Sequence, residues 1–287
     1  MPSSAAELLE LLELERLELD LYRGRQTVTE RQRVFGGQVA AQALLAGAGT
    51  VESNYLLHSM HCLFLHPGDT SVPIVYDVDR MRDSRSFATR RVSARQHGRV
   101  IFTAVLSHQV PEEGFEHQDR MPEVPAPQDC VDIKDLLATA QGPDGDWERD
   151  WAALDVRYVG TSKRGLREDP DRPSRAQMWI RVAGDLPVET VVQQAAFAYA
   201  SDLTLLGSSL VVHGRTSSSP DILAASLDHS IWFHKPFRAD RWWLYDQVSP
   251  RATGGRGFAT ARIFDESGDL VASVVQEGLI RQRVTGP

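Results

Sequence analysis

Leucines at positions 8, 9, 11 and 12 lie among glutamates and follow Ser4-Ala-Ala-Glu7, so the chain is expected to open with a short amphipathic helix started by a capping box. The period then shortens. Leu17, Leu19 and Leu21 alternate with Glu18 and Asp20, which predicts a strand stopped at Gly24. Past a polar turn, Phe35-Gly-Gly-Gln-Val-Ala-Ala-Gln-Ala-Leu-Leu-Ala-Gly-Ala-Gly49 is small or apolar nearly all round, the pattern of a helix buried on every side and closely approached by its neighbours. Strand signals follow near 58–66, 72–80, 86–96 and 100–110, punctuated by Pro67-Gly68, Asp83-Ser84 and His97-Gly98. One helix followed by hairpin-linked strands is an α+β order and not the alternation of a parallel sheet.

The order then repeats. From Pro111 to about Trp151 the composition turns acidic, with prolines at 122, 125 and 127, which predicts a linker carrying one short helix around 131–140. Leu154-Asp-Val-Arg-Tyr-Val159 alternates like a first strand and 175–182 like another. Asp185-Leu-Pro187 is expected to open a second helix running through Val191, Ala195, Ala196 and Ala200 towards Asp202. Strands are expected near 223–234, 241–249, 256–265 and 270–280. Three landmarks keep nearly one spacing between the halves. Arg85-Ser-Phe-Ala-Thr-Arg-Arg91 matches Arg256-Gly-Phe-Ala-Thr-Ala-Arg262, Phe64 and Pro67 match Phe233 and Pro236, and Gly98 and Gly268 close corresponding hairpins. The chain therefore reads as a duplicated unit at 1–110 and 151–287, joined by a linker at 111–150.

Composition narrows the partners. A net charge of −8 argues against a general nucleic-acid binder. Cys62 and Cys130 form no C-x-x-C, which leaves neither a zinc pattern nor a disulfide framework. No apolar run is expected to span a membrane, and the acidic beginning and the ending Arg-Val-Thr-Gly-Pro287 carry no address signal, so a cytoplasmic protein is expected.

Chemistry gathers in Ser226-Leu-Asp-His-Ser-Ile-Trp-Phe-His-Lys-Pro236, which mixes core residues with a hydroxyl, an acid and two imidazoles. Together with Phe35-Gly-Gly-Gln38, Leu65-His-Pro-Gly68, Gly114-Phe-Glu-His-Gln118, Tyr199-Ala-Ser-Asp202 and Val275-Gln-Glu-Gly278, this stretch makes the chain resemble the acyl-CoA thioesterase II family. The resemblance implies a double hotdog, two fused units each with a long helix wrapped by an antiparallel sheet. It also implies hydrolysis of acyl-CoA to a carboxylic acid and CoA by a water held on an Asp, Thr or Ser, Gln trio, with no metal or redox cofactor. The trio maps onto Asp202, Ser226 and Gln276. Serine keeps the hydroxyl of the threonine found in many members but loses the methyl that stiffens its rotamer. The amides of Gly36, Gly37 and Gln38, at a helix amino terminus, are the natural donors for a developing oxyanion. Relatives self-associate, so a homo-oligomer is expected.

Taken singly, these residues are less pointed. An acid late in an apolar helix caps something or reaches solvent, a strand serine bonds backbone, and a buried amide belongs to a structural network. His58, His61, His66, His229 and His234 invite a hydrolytic triad, but there is no G-x-S-x-G elbow, and a structural role is expected for them. The arginines at 80, 82, 85, 90, 91 and 95, with a weaker counterpart at 251, 256 and 262, read equally as a solvated strand face or as a landing site for CoA phosphates. Two other functions use the same fold and ligand. One is an enoyl-CoA hydratase or dehydratase, which would want a histidine beside Asp202, and none follows it closely in sequence. The other is a non-catalytic acyl-CoA binding module.

Overall fold

In the computed structural model, which describes residues 1–26, 29, 32–138 and 152–283, the predicted short helix is α1 (Ala5–Leu12). The Ser4 side chain accepts from the Glu7 amide, and the Glu7 carboxylate reaches back to the Ser3 amide. Leu8, Leu11 and Leu12 are buried, each stabilising the fold by roughly 1.5–3 kcal/mol. The alternating run after it is a hairpin and not one strand: β1 (Leu14–Glu18) pairs with β2 (Leu21–Gly24), and Asp20 at φ 58 makes the turn. Leu17 and Leu19 are exposed, so their alternation reports an edge hairpin rather than a buried face.

The first half continues through α2 (Gly36–Ala48), β3 (Leu56–Phe64), β4 (Ile74–Asp83), β5 (Phe87–Gln96) and β6 (Arg99–Gln109). The second has β8 (Leu154–Thr161), β9 (Arg175–Val182), α4 (Thr190–Ser201), β10 (Ile222–Ser226), β11 (Asp228–Phe233), β12 (Trp243–Thr253), β13 (Arg256–Asp265) and β14 (Leu270–Gln282). Helix α4 starts at Thr190, later than Asp185-Leu-Pro187 predicts, because the Leu186 amide is drawn to the buried Asp240 carboxylate and held in the preceding turn. Between α4 and β10 a 3-10 helix, Leu206–His213, packs over Gly257 and Gly278, where a Cβ would collide with Ser209 and Leu206. Its sequence gives no strong period.

The described strands form one sheet in the order β1-β2-β4-β5-β6-β3-β11-β14-β13-β12-β9-β8 and then β7 (Val131–Asp132), with β10 also on β14. The sheet is continuous because β3 and β11, the strands carrying the Phe-x-x-Pro echo, pair antiparallel, with His61 opposite Ser230. Helices α2 and α4 pack against each other, buried along most of their length. Small residues permit this, and Gln42 meets its polar needs inside, donating to the Leu11 and Arg25 carbonyls and accepting from the Tyr76 hydroxyl. The segment Thr190–His213 is long and apolar enough to cross a membrane by composition, unlike the sequence expectation, but it is mostly buried in this core.

The hairpin turns revise one landmark. Ser84 and Phe87 close the β4–β5 turn as Thr253 and Arg256 close the β12–β13 turn, so Phe87 corresponds to Arg256. The Arg-x-Phe-Ala-Thr match therefore lies two residues out of structural register. A two-residue slip leaves every side chain on its own face, which lets similar patterns recur without equivalence.

The proline-rich connection is extended over the second half. Gln118 bonds the Gly268 carbonyl and the Leu270 amide, the Trp179 indole donates to the Pro125 carbonyl, and Met121 and Val124 pack on Trp179, Leu244 and Phe264. It ends in a 3-10 turn (Pro127–Asp129), β7 (Val131–Asp132) and α3 (Ile133–Ala138), with β7 paired to β8. The last residues of the helix expected around 131–140, and the end of the linker to Trp151, lie outside the described residues.

Candidate active site

Asp202 is the residue immediately after α4, where the helix stops. Its side chain is 4% exposed and points at the amino terminus of α2 from the other half of the chain. A Cβ on Gly36 would come 2.5 Å from Asp202 Oδ2 and 2.9 Å from the Phe64 ring, and one on Gly37 would collide with the Tyr199 carbonyl. The glycines are there so that the two helices can meet end to end around a carboxylate.

Ser226 and Gln276 approach the same carboxylate from the sheet. Between Ser226, opposite Gly278, and Ser230, opposite Val275, the register slips by one residue. This is a bulge at Leu227, whose amide bonds the Glu277 carbonyl while its own carbonyl accepts from Phe64. The kink turns Ser226 inward. Its hydroxyl donates to Asp202 Oδ1 at 3.2 Å, and the Gln276 amide donates to Asp202 Oδ1 at 2.5 Å and to Ser226 Oγ at 3.0 Å. Gln276 is fully buried, and its Oε1 has no hydrogen-bond partner among the described residues.

Burial raises the Asp202 carboxyl to about 6, against the hydrogen bonds from Gln276, Ser226 and the Gly37 amide, which favour the ionised form. The carboxylate is thus basic for its type yet ionised at neutral pH. Of the residues expected to bind an oxyanion, Gly36 and Gly37 lie at the trio, with the Gly37 amide directed at Asp202. The Gln38 side chain lies elsewhere, its Nε2 donating to the Arg25 carbonyl and to Gln26 Oε1.

His229 is the neighbour that sequence spacing misses. It lies on β11, the strand that pairs with β3 to join the halves, and is fully buried, with Nδ1 3.9 Å from Asp202 Oδ1. The Ser201 hydroxyl donates to the Ala198 carbonyl at 3.0 Å, so His229 Nε2–H donates to Ser201 Oγ at 2.8 Å and Nδ1 is bare. Burial lowers its pKa to about 3, which keeps it neutral. The other four histidines of the cluster hydrogen-bond to Ser107, Ser230, Arg99 and Ser273.

A cavity of about 330 Å³ reaches the trio at Ser226, with Gly36, Val39, Phe64, Ile101 and Phe102 also among its lining residues and the exposed Arg33 and His66 at its edge. None of the arginines of β4, β5 and β13 lines this cavity, and most of them are paired with acids. Arg80 pairs with Asp20, Arg91 with Asp79, Arg95 with Asp77, Arg256 with Glu277 and Arg262 with Asp246. Arg90 is buried on Thr50 and Asp83. For these six arginines the pairing is that of a strand face with its acids balanced.

Ser226 has only to present a hydroxyl between Asp202 and Gln276. Ser226→Thr is therefore expected to keep kcat within a few-fold, and Ser226→Ala to lower it by about tenfold, in line with one lost hydrogen bond. Equal rates for serine and alanine would remove the hydroxyl from the mechanism.

A family model for acyl-CoA thioesterase matches residues 158–279, and one for the acyl-CoA thioesterase N-terminal domain matches residues 25–109. Acyl-CoA thioesterase 2 of Haemophilus influenzae is 38% identical over 280 residues, 96% of this chain and 96% of its own. The crystal structure of an acyl-CoA thioesterase II from Mycobacterium marinum aligns with a TM-score of 0.84 at 43% identity, over 96% of this chain and 99% of that one. A protein of unknown function with a hot dog fold from Alicyclobacillus acidocaldarius shares the fold, with a TM-score of 0.77 at 20% identity over 96% of this chain and 98% of its own.

Proposed function

This chain belongs to the acyl-CoA thioesterase family, and we propose that it hydrolyses its thioester by direct attack of a water held on Asp202, Ser226 and Gln276. Its activity is that of a thioester hydrolase on acyl-CoA. The observation that carries the mechanism is the closed triangle of Asp202, Ser226 and Gln276, which leaves the buried Gln276 Oε1 and the second carboxylate oxygen as acceptors. A water can donate one hydrogen to each and keep a lone pair for the carbonyl carbon. As the new carbon–oxygen bond forms, Asp202 takes the proton. When the tetrahedral intermediate breaks its carbon–sulfur bond, the departing thiolate takes that proton back, giving the acid and CoA thiol. With the Gly37 amide on Asp202, the amides of Gly36 and Gln38 are left as donors for the carbonyl oxygen.

The base must be ionised to work. With Asp202 raised to about 6, kcat/KM is expected to be level above pH 7 and to fall about tenfold per unit below pH 6. Initial rates of thiol release between pH 5 and 8 test this, and a limb near the ordinary carboxylate value of about 4 would contradict a buried base.

The nearness of His229 to Asp202 favours the hydratase reading, supplying the histidine that sequence spacing does not. Its ring is fully buried and its N–H committed to Ser201, which does not suit a proton donor to an enoyl carbon. Loss of enoyl absorbance without thiol release would establish hydration instead.

A further inference from the structure

The duplication creates a second copy of the catalytic corner, at the opposite meeting of the same two helices. The residue after α2 is Gly49, in the place of Asp202 after α4. Matching the ladders through Ala94 opposite Phe102 and Ile263 opposite Ala272 makes Leu106 the counterpart of Gln276, and His108 that of Gly278. Leu57, opposite His108, then stands for Ser226, opposite Gly278. With glycine and two leucines in the places of the trio, this corner has no counterpart of the Asp202 base or of the side chains that position a water beside it.

It has nonetheless kept a built cavity, of about 550 Å³, between the carboxyl end of α2 and the amino end of α4. A neighbouring one of about 240 Å³ shares Leu56, Leu57, Thr190 and Gln194 with it. In the catalytic corner the amino terminus of α2 receives the Asp202 carboxylate. The amino terminus of α4 receives none from Gly49. The Glu189 carbonyl takes the amides of Val192 and Gln193, whereas those of Thr190 and Val191 have no acceptor among the described residues. His108 also lines the cavity. It is 1% exposed, and its ring leans towards the Ala88 carbonyl without either nitrogen reaching a hydrogen-bond partner among the described residues. Buried polar groups left in this way are rare and call for a partner that the described residues do not supply. Around them Leu45, Val51, Leu56 and Val191 supply an apolar wall.

We propose that this corner is a binding site for a free carboxylic acid with an aliphatic tail, whose carboxyl group occupies at α4 the place that Asp202 takes at α2. The carboxyl oxygens would accept from the Thr190 and Val191 amides, and His108, which burial keeps neutral, can donate a hydrogen bond to the head group. The tail would lie on Leu45, Leu56 and Val191. Glu52 and Glu189, both exposed on the rim, oppose the several charges of the CoA polyphosphate more strongly than the single charge of a carboxylate, which favours free acid over acyl-CoA. The choice of a fatty acid rests on the thioesterase reading, for which it is the product, and the site would make that product an effector of its own release.

Calorimetric titration of the full chain with sodium dodecanoate tests this. Binding is expected in the wild type and in Val39→Trp, which fills the catalytic cavity. It should weaken at least tenfold in His108→Leu and in Gly49→Asp, the latter placing a carboxylate of the chain's own at α4. The kcat of His108→Leu should stay within twofold of wild type. Gly49→Asp lies at an exposed helix end and decides the matter if His108→Leu does not fold. No binding to the wild type, loss of binding in Val39→Trp, or undiminished binding in both His108→Leu and Gly49→Asp would overturn the proposal. Absence of thiol release from acyl-CoA by the wild type would instead sink the thioesterase reading and leave the binding result standing.

Discussion

Replacing Asp202 with alanine is expected to lower kcat for acyl-CoA hydrolysis by on the order of 10²–10⁴, the usual weight of a positioned base. The loss should not reflect unfolding. Asp202 titrates near 6 in the folded chain and near 3.8 when unfolded, so its contribution favours folding most below pH 4 and is lost as pH rises through 6. At pH 8 the buried charge opposes folding by on the order of 3 kcal/mol. Removing it offsets the hydrogen bonds that Ser226, Gln276 and the Gly37 amide lose with it. The melting temperature should therefore stay near that of the wild type while turnover collapses. A well-folded Asp202→Ala protein with near-full turnover would refute the mechanism.

Gln276→Ala should be about as damaging, lowering kcat on the order of 100-fold, since one side chain both fixes the carboxylate and offers the buried acceptor for water. It carries a second signature. The Gln276 hydrogen bond lowers the Asp202 pKa, so its removal should move the acid limb of the residual activity above 6. An effect confined to KM, or a limb that does not move, would assign Gln276 to the architecture alone.

The strand and helix periods of both halves were legible in the sequence because each element buries one face or all faces. The errors fall where local pattern and burial part company. Leu17, Leu19 and Leu21 alternate perfectly and turn a corner at Asp20, since alternation describes a pleat and says nothing about where the chain bends. The bulge at Leu227 splits a run of residues that reads as one strand from 223 to 234, and its effect depends on the register with β14. The Arg-x-Phe-Ala-Thr repeat looked like equivalence and is out of register, because period-two patterns survive even shifts.

By itself, the sequence determined that this protein is a duplicated α+β chain with two small-residue helices inside antiparallel sheets. Hydrophobic periodicity and glycine placement depend only on neighbours within one element. Its motifs also pointed to Asp202, Ser226 and Gln276, though only by resemblance, as residues 24 and 74 positions from the acid share no local pattern with it. Tertiary packing alone brings the three onto one carboxylate oxygen, requires Gly36 to admit that carboxylate and Gly37 to admit the end of the opposing helix, and makes the acid basic through burial. It also decided that the duplicate corner keeps its cavity while losing its acid. These are properties of where two helices from different halves end against each other. Such a distance is set by the packing of the whole sheet.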